Sequence, residues 1–488
     1  MSVARQAAHG VAWNMLFGVS TRMLQLVGTL VLTHLLPPEE YGPVIAASIL
    51  VTTASIFTSF TFGQYLIAKR APPEVAIQAM ALHIGLGVVA MGAIYAFRQP
   101  LGTFFGTPDT GQYVIGYVVA YLLDRSRYVP ERLILRALRF RTVASINASG
   151  ELAYMACALA TASMWGPWSI VFGVLVRSAL TCVLYFRAAP RAEWLAPLRF
   201  RADQVRDLFG YGLPLMIGSI SDQLATRCDN LIMSRQFDAA VMGRYNLSYS
   251  LAEMPVNSIA VQIGDVLMPA FSKMEDESRQ GAVVKAAALM SLIVSPLGVG
   301  LAAVAPTVVA AFFNAKWGPT MASMLAILSI MSVFRPMTWS AIAYLQAVQK
   351  TRLVMYSSFF RAIGVLALVG AFGYLGDEDW ACVGAAIGFA LHSVLTIIAA
   401  GRVAGFSASA YLIGVARPLL PSVPMFFAVV GTARGLEQLE APLLISLIAQ
   451  VVVGGVVYVA AAFVMLNRTV REVLRQGREA FGRRRQRK

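Results

Sequence analysis

Long apolar segments recur along the whole chain, and no other feature of the sequence constrains its fold as strongly. Windows of about 19 residues place them near 10–36, 43–67, 76–97, 112–135, 142–164, 168–187, 208–236, 244–272, 283–313, 318–347, 353–375, 380–401, 411–433 and 441–466. About 20 apolar residues cross a bilayer as a helix, which satisfies its backbone polar groups internally. The sequence therefore predicts an all-α polytopic membrane protein with about 14 transmembrane helices.

Charged residues are scarce in this chain. Of its 488 residues, 58% are apolar and 13% are charged, about half of the roughly 25% charged residues in soluble domains. The formal net charge of +15 would suggest a nucleic-acid partner in a soluble protein, but the apolar content argues against one. Isolated cysteines and scattered histidines predict no metal site, and we expect no bound cofactor.

The basic residues between the spans predict the orientation. One set of loops, together with both termini, carries 26 Lys and Arg residues, whereas the opposite loops carry five. Because basic loops remain in the cytoplasm, we expect both termini to be cytoplasmic. The basic tail would contact anionic headgroups, so membrane lipids are expected partners.

An internal repeat relates the two halves of the chain. Residues 32–36 precede Gly42 with the same spacing as residues 233–237 precede Gly243, at an offset of 201 residues. Six spans in each copy would give two pseudo-symmetric lobes related by an axis along the membrane normal, with the substrate site between them. The predicted domains are a first lobe at 1–195, a second lobe at 196–403, two additional helices at 404–466 and a basic tail at 467–488.

Nine basic residues lie inside the predicted spans at least three residues from either end, and all nine are arginines. Insertion of an arginine at a helix centre costs roughly 2.5–3.5 kcal/mol, so we expect a water-filled interior. Guanidinium groups suit bidentate contact with phosphate or carboxylate. The cations predicted to bind an anionic cargo are Arg22, Arg125, Arg227, Arg335 and Arg361.

Polar residues at helical spacing support such a cavity. They form one stripe on the first span and similar stripes on three later spans. Hydrogen bonding between helices explains a single stripe, but four stripes are better explained by water. The predicted polar lining comprises Asn14, Gln25, Thr29, Asn257 and Trp339.

Acidic residues inside the spans divide into two groups. Asp222, Asp229 and Glu253 are candidates for coupling transport to a proton or sodium gradient, because a desolvated carboxylate takes up protons near neutral pH. Asp124 and Glu131 instead have arginines close by on the same span. For these two acids we expect local ion pairs.

Several short segments carry a family resemblance. They are residues 35–42 (LLPPEEYG), 133–140 (LILRALRF), 165–171 (WGPWSIV), 242–249 (MGRYNLSY), 267–273 (LMPAFSK) and 314–317 (NAKW). In this order they resemble the polysaccharide exporter branch of the multidrug, oligosaccharidyl-lipid and polysaccharide flippase superfamily. Beyond about residue 400 only the pattern of spans supports the resemblance.

The resemblance implies two six-helix lobes around a central cavity, with two further helices, opening alternately to each side of a bacterial inner membrane. The implied cargo is an oligosaccharide repeat unit linked through pyrophosphate to undecaprenol, moved to the outer leaflet for exopolysaccharide, capsule or O-antigen synthesis. It implies a transporter and not an enzyme, with a polysaccharide polymerase and chain-length machinery as partners. The family often has arginine where this chain has His34, whereas Arg235 occupies the repeat-equivalent position.

Alternative functions remain open from the sequence. A flippase for the lipid-linked peptidoglycan precursor would use a similar cavity. A drug exporter would be expected to carry more acids than arginines in its cavity, the reverse of what is found. A membrane polymerase or glycosyltransferase generally has a sizeable outer loop, and no outer loop here exceeds about 15 residues. A membrane scaffold would give no reason for aligned polar faces.

Overall fold

The described part of the chain is helical. A computed structural model describes residues 28–58, 60, 62–68, 72–137, 139–194, 197–272, 274–348 and 350–467. The described part of the first predicted span is residues 28–36, of which residues 28–35 are helical. Within these ranges no β-strand occurs, which agrees with the predicted all-α fold.

The helices follow one another with short connections. They are α1 Pro38–Ile56, α2 Phe62–Ala68, α3 Pro73–Ala96, α4 Arg98–Phe104, α5 Thr110–Arg136, α6 Phe140–Trp165, α7 Trp168–Ala188, α8 Arg191–Trp194, α9 Ala202–Gln236, α10 Ala239–Ser272, α11 Asp276–Phe312, α12 Gly318–Ala347, α13 Thr351–Leu375, α14 Glu378–Ala404, α15 Ala408–Ala416, a 3₁₀ turn Arg417–Leu419, α16 Ser422–Gln438 and α17 Leu443–Met465.

Within the part of the chain that the structure describes, eight segments are long and apolar enough to cross a membrane. They are Pro73–Ala96, Trp168–Ala188, Gln280–Phe312, Thr320–Ala347, Arg352–Leu375, Glu378–Ala404, Ala408–Gln438 and Leu443–Met465. Other long helices, such as α5 and α9, fall on predicted spans but carry more charged residues. The multi-pass architecture is confirmed, whereas the number of 14 spans stays a prediction.

The chain divides into two compact units, Met1–Asn246 and Leu247–Lys488. In the first unit α5 packs against α1, α3 and α7, and α6 packs along α7. Its core includes Tyr113, Tyr117 and Val171. The predicted second span differs from expectation, because α1 ends at Ile56 and α2 starts only at Phe62.

In the second unit α12 packs between α11 and α14, and α13 packs along α14. The last helices, α16 and α17, pack on α11 around Met425 and Tyr458. Gln450 of α17 donates to the Thr307 hydroxyl of α11 at 2.9 Å. Bonds of this kind satisfy polar side chains where lipid cannot.

The boundary between the two units lies after residue 246, whereas the repeat predicts a boundary after residue 195. The residues between these two positions contain the seventh predicted span and the start of the eighth. The reason for the difference is the packing of α9, which contacts α1, α2 and α3 of the first unit. A Cβ on Gly212 of α9 would collide with the carbonyl oxygen of Phe60, so the two backbones touch. The predicted repeat assigns α9 to the second lobe from its sequence alone. The packing of α9 does not test the predicted lobes.

Repeat-equivalent residues meet in the first unit. A Cβ on Gly42 of α1 would collide with the backbone of Ala239 at the start of α10, and a Cβ on Gly243 would lie 2.9 Å from the carbonyl oxygen of Pro38. The offset of 201 residues converts Pro38 into Ala239 and Gly42 into Gly243. The contact is therefore reciprocal, as at a two-fold interface.

Candidate functional site

A strip of charged side chains runs along one face of α5. Asp124, Arg127 and Glu131 are spaced three and four residues apart, which places them on the same side of the helix. Nε of Arg127 donates to Oδ1 of Asp124 at 2.7 Å, and Nη1 of Arg127 donates to Oε2 of Glu131 at 3.0 Å. The expected local pairing of both acids is confirmed.

Helices α6 and α7 extend this strip. Oγ of Ser178 on α7 donates to Oδ2 of Asp124 at 3.2 Å. Nη1 of Arg177, the preceding residue, donates to Oε1 of Glu151 on α6 at 3.2 Å. We call the six residues Asp124, Arg127, Glu131, Glu151, Arg177 and Ser178 the charged strip.

Glycines allow the helices behind the strip to approach closely. A Cβ on Gly150 of α6 would lie 2.5 Å from Cγ2 of Thr181, and a Cβ on Gly173 of α7 would lie 2.7 Å from Cδ2 of Tyr154. This close approach of α6 and α7 allows the side chains of Arg177 and Glu151 to meet.

Two tyrosine rings border the strip. The guanidinium of Arg127 lies over the ring of Tyr185 at 5.2 Å, and that of Arg177 lies over the ring of Tyr154 at 5.8 Å. The Tyr185 hydroxyl donates to Oδ1 of Asn147 at 2.9 Å. Rings near guanidinium groups stabilise the cations through their quadrupoles.

The charged side chains of the strip are only partly covered. Their exposed fractions lie between 14% for Glu151 and 34% for Arg177. Both residues lie near the middle of their helices, α6 and α7. Because charged groups inside a membrane face protein or water and not hydrocarbon, we expect the strip to face water. Its carboxylates can accept bonds from hydroxyl groups, and its arginines can donate to anionic oxygens.

Sequence reasoning missed part of this strip. The pairing of Asp124 with Arg127 was readable from spacing, but Glu151 and Arg177 were not assigned to any site. A signal was present on α6, where Asn147, Glu151 and Tyr154 follow one another at intervals of four and three residues. Pairing between α6 and α7 depends on tertiary packing, which spacing along one helix does not reveal.

Arg125 lies on α5 beside the strip but points elsewhere. Its side chain is 2% exposed, and its guanidinium donates to main-chain oxygens of Ser55 and Thr58 and of His83. In this structure the predicted cargo-binding cation contacts backbone carbonyls inside the first unit.

Asp229 of α9 is the centre of a buried polar cluster. The Tyr245 hydroxyl donates to Oδ2 of Asp229 at 2.7 Å, and the main-chain and side-chain nitrogens of Asn230 donate to Oδ1 at 2.9 and 3.0 Å. Nδ2 of Asn246 donates to Oδ1 of Asn230 at 3.0 Å. The cluster joins α9 to α10 through neutral donors, and its role in coupling stays a prediction.

The other predicted site residues are dispersed. Arg227 is exposed on α9, and Thr29 is half-buried in the first helical segment. In the second unit Glu253, Trp339 and Arg361 are half-buried on α10, α12 and α13. The side chains of Asp222, Asn257 and Arg335, and the whole of Asn14, Arg22 and Gln25, lie outside the described residues.

The first unit also contains an apolar recess of about 590 Å³. Residues from α1, α3 and α4 line it, among them Ala54, Phe57, Ala93 and Phe97. Thr58, which contacts Arg125, is also part of the lining. The recess is therefore adjacent to the buried guanidinium and separate in character from the charged strip.

Comparison with known proteins gives a consistent assignment. The family model described as "Polysaccharide biosynthesis protein" matches residues 31–322. The lipopolysaccharide biosynthesis protein WzxC of Escherichia coli is 24% identical over 433 residues, which are 87% of this chain and 87% of that protein. The teichuronic acid biosynthesis protein TuaB of Bacillus subtilis is 23% identical over 98% of this chain and 99% of its own length. The succinoglycan biosynthesis transport protein ExoT of Rhizobium meliloti is 22% identical over 97% and 95%.

Solved structures share the fold. The lipid II flippase MurJ in an inward closed conformation superimposes with a TM-score of 0.78 at 12% identity, covering 94% of this chain and 99% of that one. An inward-facing multidrug resistance transporter of the MATE family and MOP superfamily gives a TM-score of 0.63 at 16% identity, over 82% and 98%. These likenesses establish the fold class predicted from the sequence.

Proposed function

Since the chain belongs to the polysaccharide biosynthesis protein family, the polysaccharide exporter branch of the MOP superfamily, we propose that it is a flippase for lipid-linked oligosaccharides. It moves undecaprenyl-pyrophosphate-linked repeat units from the cytoplasmic to the periplasmic leaflet by alternating access, for exopolysaccharide, capsule or O-antigen synthesis. Its relatives by name serve lipopolysaccharide, teichuronic acid and succinoglycan biosynthesis. The chain is a membrane transporter and not an enzyme.

The charged strip is the observation that carries this proposal. A sugar hydroxyl moved into hydrocarbon without a partner costs several kcal/mol, so an oligosaccharide needs a polar path. Asp124, Glu131 and Glu151 offer carboxylates to hydroxyl groups, while Arg127 and Arg177 offer donors to hydroxyl, carboxylate or phosphate oxygens. Partial exposure leaves these groups accessible to a ligand.

Four of the five arginines predicted from the sequence keep a proposed role in binding the cargo. Arg22, Arg227, Arg335 and Arg361 would bind the pyrophosphate or acidic sugars, and the exposure of Arg227 supports this role. Asp222, Asp229 and Glu253 would couple transport to a proton or sodium gradient. Replacement of each by its amide should change the dependence of transport on that gradient.

Location and partners follow from the proposed cargo. We place the protein in the bacterial inner membrane with both termini in the cytoplasm, where the basic tail contacts anionic lipids. A polysaccharide polymerase with its chain-length machinery would receive the cargo at the periplasmic leaflet. Protease protection of tags on each terminus, in inside-out and right-side-out vesicles, tests this orientation.

A deletion strain tests the function. We expect loss of surface polysaccharide and build-up of complete undecaprenyl-pyrophosphate oligosaccharides on the cytoplasmic leaflet, both restored by the wild-type gene. Rescue should be weaker with Arg177→Ala or Glu151→Gln than with the wild-type gene. It should be complete with Arg201→Ala, a matched control whose ion pair with Asp203 is about two-thirds exposed. Complete units that reach the outer leaflet without polymerising would refute a flippase and indicate a polymerase.

The likeness to a lipid II flippase over 94% of the chain gives a second candidate cargo, the lipid-linked peptidoglycan precursor. That function predicts lysis of the deletion strain and build-up of the precursor on the cytoplasmic leaflet. Normal growth with loss of surface polysaccharide would exclude it.

A further inference from the structure

The second predicted span is interrupted inside the first unit. Helix α1 ends at Ile56 with a turn at Phe57 and Thr58, and α2 begins at Phe62. A helix end leaves carbonyl groups without intrahelical partners and carries partial negative charge. In a membrane such groups must find partners within the protein.

The guanidinium of Arg125 lies on these carbonyls. Nη2 donates to the carbonyl oxygen of Ser55 at 2.5 Å and to Oγ1 of Thr58 at 2.8 Å. Nη1 donates to the carbonyl oxygen of Thr58 at 3.1 Å. The Thr58 hydroxyl in turn donates to the Ser55 carbonyl at 3.1 Å, so hydroxyl and guanidinium bind the same helix end.

Helix α3 closes the other side. Nη1 of Arg125 donates to the carbonyl oxygen of His83 at 3.3 Å and approaches Nδ1 of the same residue at 3.4 Å. His83 stacks on Tyr128 with ring centroids 4.4 Å apart. A Cβ on Gly87, one turn along α3, would lie 3.1 Å from Cδ of Arg125. The absence of a side chain there makes room for the arginine stem.

The surroundings of this cation contain oxygen dipoles and not a counter-charge. Within the described ranges, no carboxylate lies within 4.0 Å of the Arg125 guanidinium. A buried charge without an acidic partner is costly unless dipoles replace its hydration. Three carbonyl oxygens and one hydroxyl oxygen do so here.

We propose that the interruption of the second span is a carbonyl-lined binding site for a guanidinium-type cation, and that Arg125 is its built-in occupant. In transporters with discontinuous helices, free carbonyls at the end of a half-helix coordinate the coupling cation. Here a cation tethered to α5 takes that position. Arg125 is thus a positioning residue that fixes where α1 ends.

Chemical rescue of the purified full-length protein tests the proposal without reference to the cargo. Arg125→Ala should lower the melting temperature in detergent, and millimolar methylguanidinium should restore at least half of the loss. Methylurea, which has a similar shape and no charge, should restore none, and neither should NaCl at equal ionic strength. The matched control Arg201→Ala removes a guanidinium whose ion pair with Asp203 is about two-thirds exposed, and it should not respond to methylguanidinium.

The conservative variants separate a cation site from simple packing. Arg125→Lys retains a cation and should keep more of the melting temperature than Arg125→Met, which fills similar space without charge. The same ranking can be measured as folded yield if Arg125→Ala cannot be purified. Equal loss in Arg125→Lys and Arg125→Met, or equal rescue by methylurea and methylguanidinium, would overturn the proposal.

Discussion

Arg125 and Arg127 lie two residues apart on α5, yet they have opposite surroundings. Two residues rotate about 200° around a helix, so one side chain points to α1 and α3 and the other to α7. The first is 2% exposed and contacts carbonyls; the second is 21% exposed and pairs with two carboxylates. Two arginines on one helix therefore have different roles. Arg125 donates hydrogen bonds to main-chain oxygens in the buried interior, while Arg127 pairs with carboxylates at a partly exposed site.

The two environments differ in what removal of the arginine leaves behind. Without Arg127, Asp124 keeps the hydrogen bond from Ser178, and Asp124 and Glu131 both stay partly exposed. Without Arg125, the Thr58 carbonyl loses its guanidinium donor, while the Ser55 carbonyl keeps the donors of Thr58. Buried groups left without a hydrogen bond cost about 1–3 kcal/mol each.

The largest expected effect is on stability. Arg125→Met should lower the free energy of unfolding by about 3 kcal/mol or more, because the four hydrogen bonds from its guanidinium to oxygens of the first unit are lost together. Arg127→Met should cost about 1 kcal/mol, since partly exposed ion pairs contribute little. Denaturant titration of both variants in detergent measures the difference. Equal losses of unfolding free energy would show that burial and carbonyl contacts do not make Arg125 more important for stability than Arg127.

Among variants that fold normally, we expect substitutions in the charged strip to reduce transport more than they reduce stability. Arg177→Ala leaves Glu151 without its partner and should slow appearance of lipid-linked oligosaccharide on the outer leaflet about tenfold, equivalent to about 1.4 kcal/mol. Stability should change by less than about 1 kcal/mol. The assay is accessibility of the oligosaccharide to an added lectin in proteoliposomes. Transport at the wild-type rate would show that the charged strip does not take part in moving the cargo.

Gly87→Ala tests the packing of the Arg125 side chain against α3. The added methyl would crowd Cδ of the arginine, so we expect a loss of about 1 kcal/mol. Gly85 and Gly92 lie on the same helix with open space around them, and alanine there should be neutral or slightly stabilising. In the Arg125→Ala background the Gly87→Ala cost should vanish, as a double-mutant cycle would show.

The smallest expected effect is on salt dependence. Raising ionic strength screens charges near water and leaves buried contacts largely unchanged. The stability difference between wild type and Arg127→Ala should therefore shrink by a few tenths of a kcal/mol at 0.5 M NaCl, on the order of a weak ion pair. The difference for Arg125→Ala should stay constant across the same titration.

Much of the fold was readable from the chain, because apolar length and helical spacing are local properties. Helices occupy the predicted spans from α3 to α17. Residues 38–42 and 239–243, which the predicted repeat relates, lie in contact. The break after Ile56 was not predicted, since no proline or glycine marks residues 57–61. Its cause is distant in sequence, in Arg125.

The candidate site was predictable only in part. Pairing of Asp124 and Glu131 with an arginine on their own helix followed from spacing. Arg125 was predicted to bind an anion, because residue type and span position alone cannot reveal that main-chain oxygens surround it. Every residue has a main-chain carbonyl, so the sequence does not indicate which carbonyls a buried cation contacts.

The reciprocal contact of Gly42 and Gly243 has a consequence for how the two halves can change over evolutionary time. Each glycine accommodates the backbone at the start of the other copy's helix. A side chain acquired at either position would meet main-chain atoms of the opposite helix, which no change of side chain there can remove. Both positions are therefore expected to stay glycine, whatever else changes along the two segments.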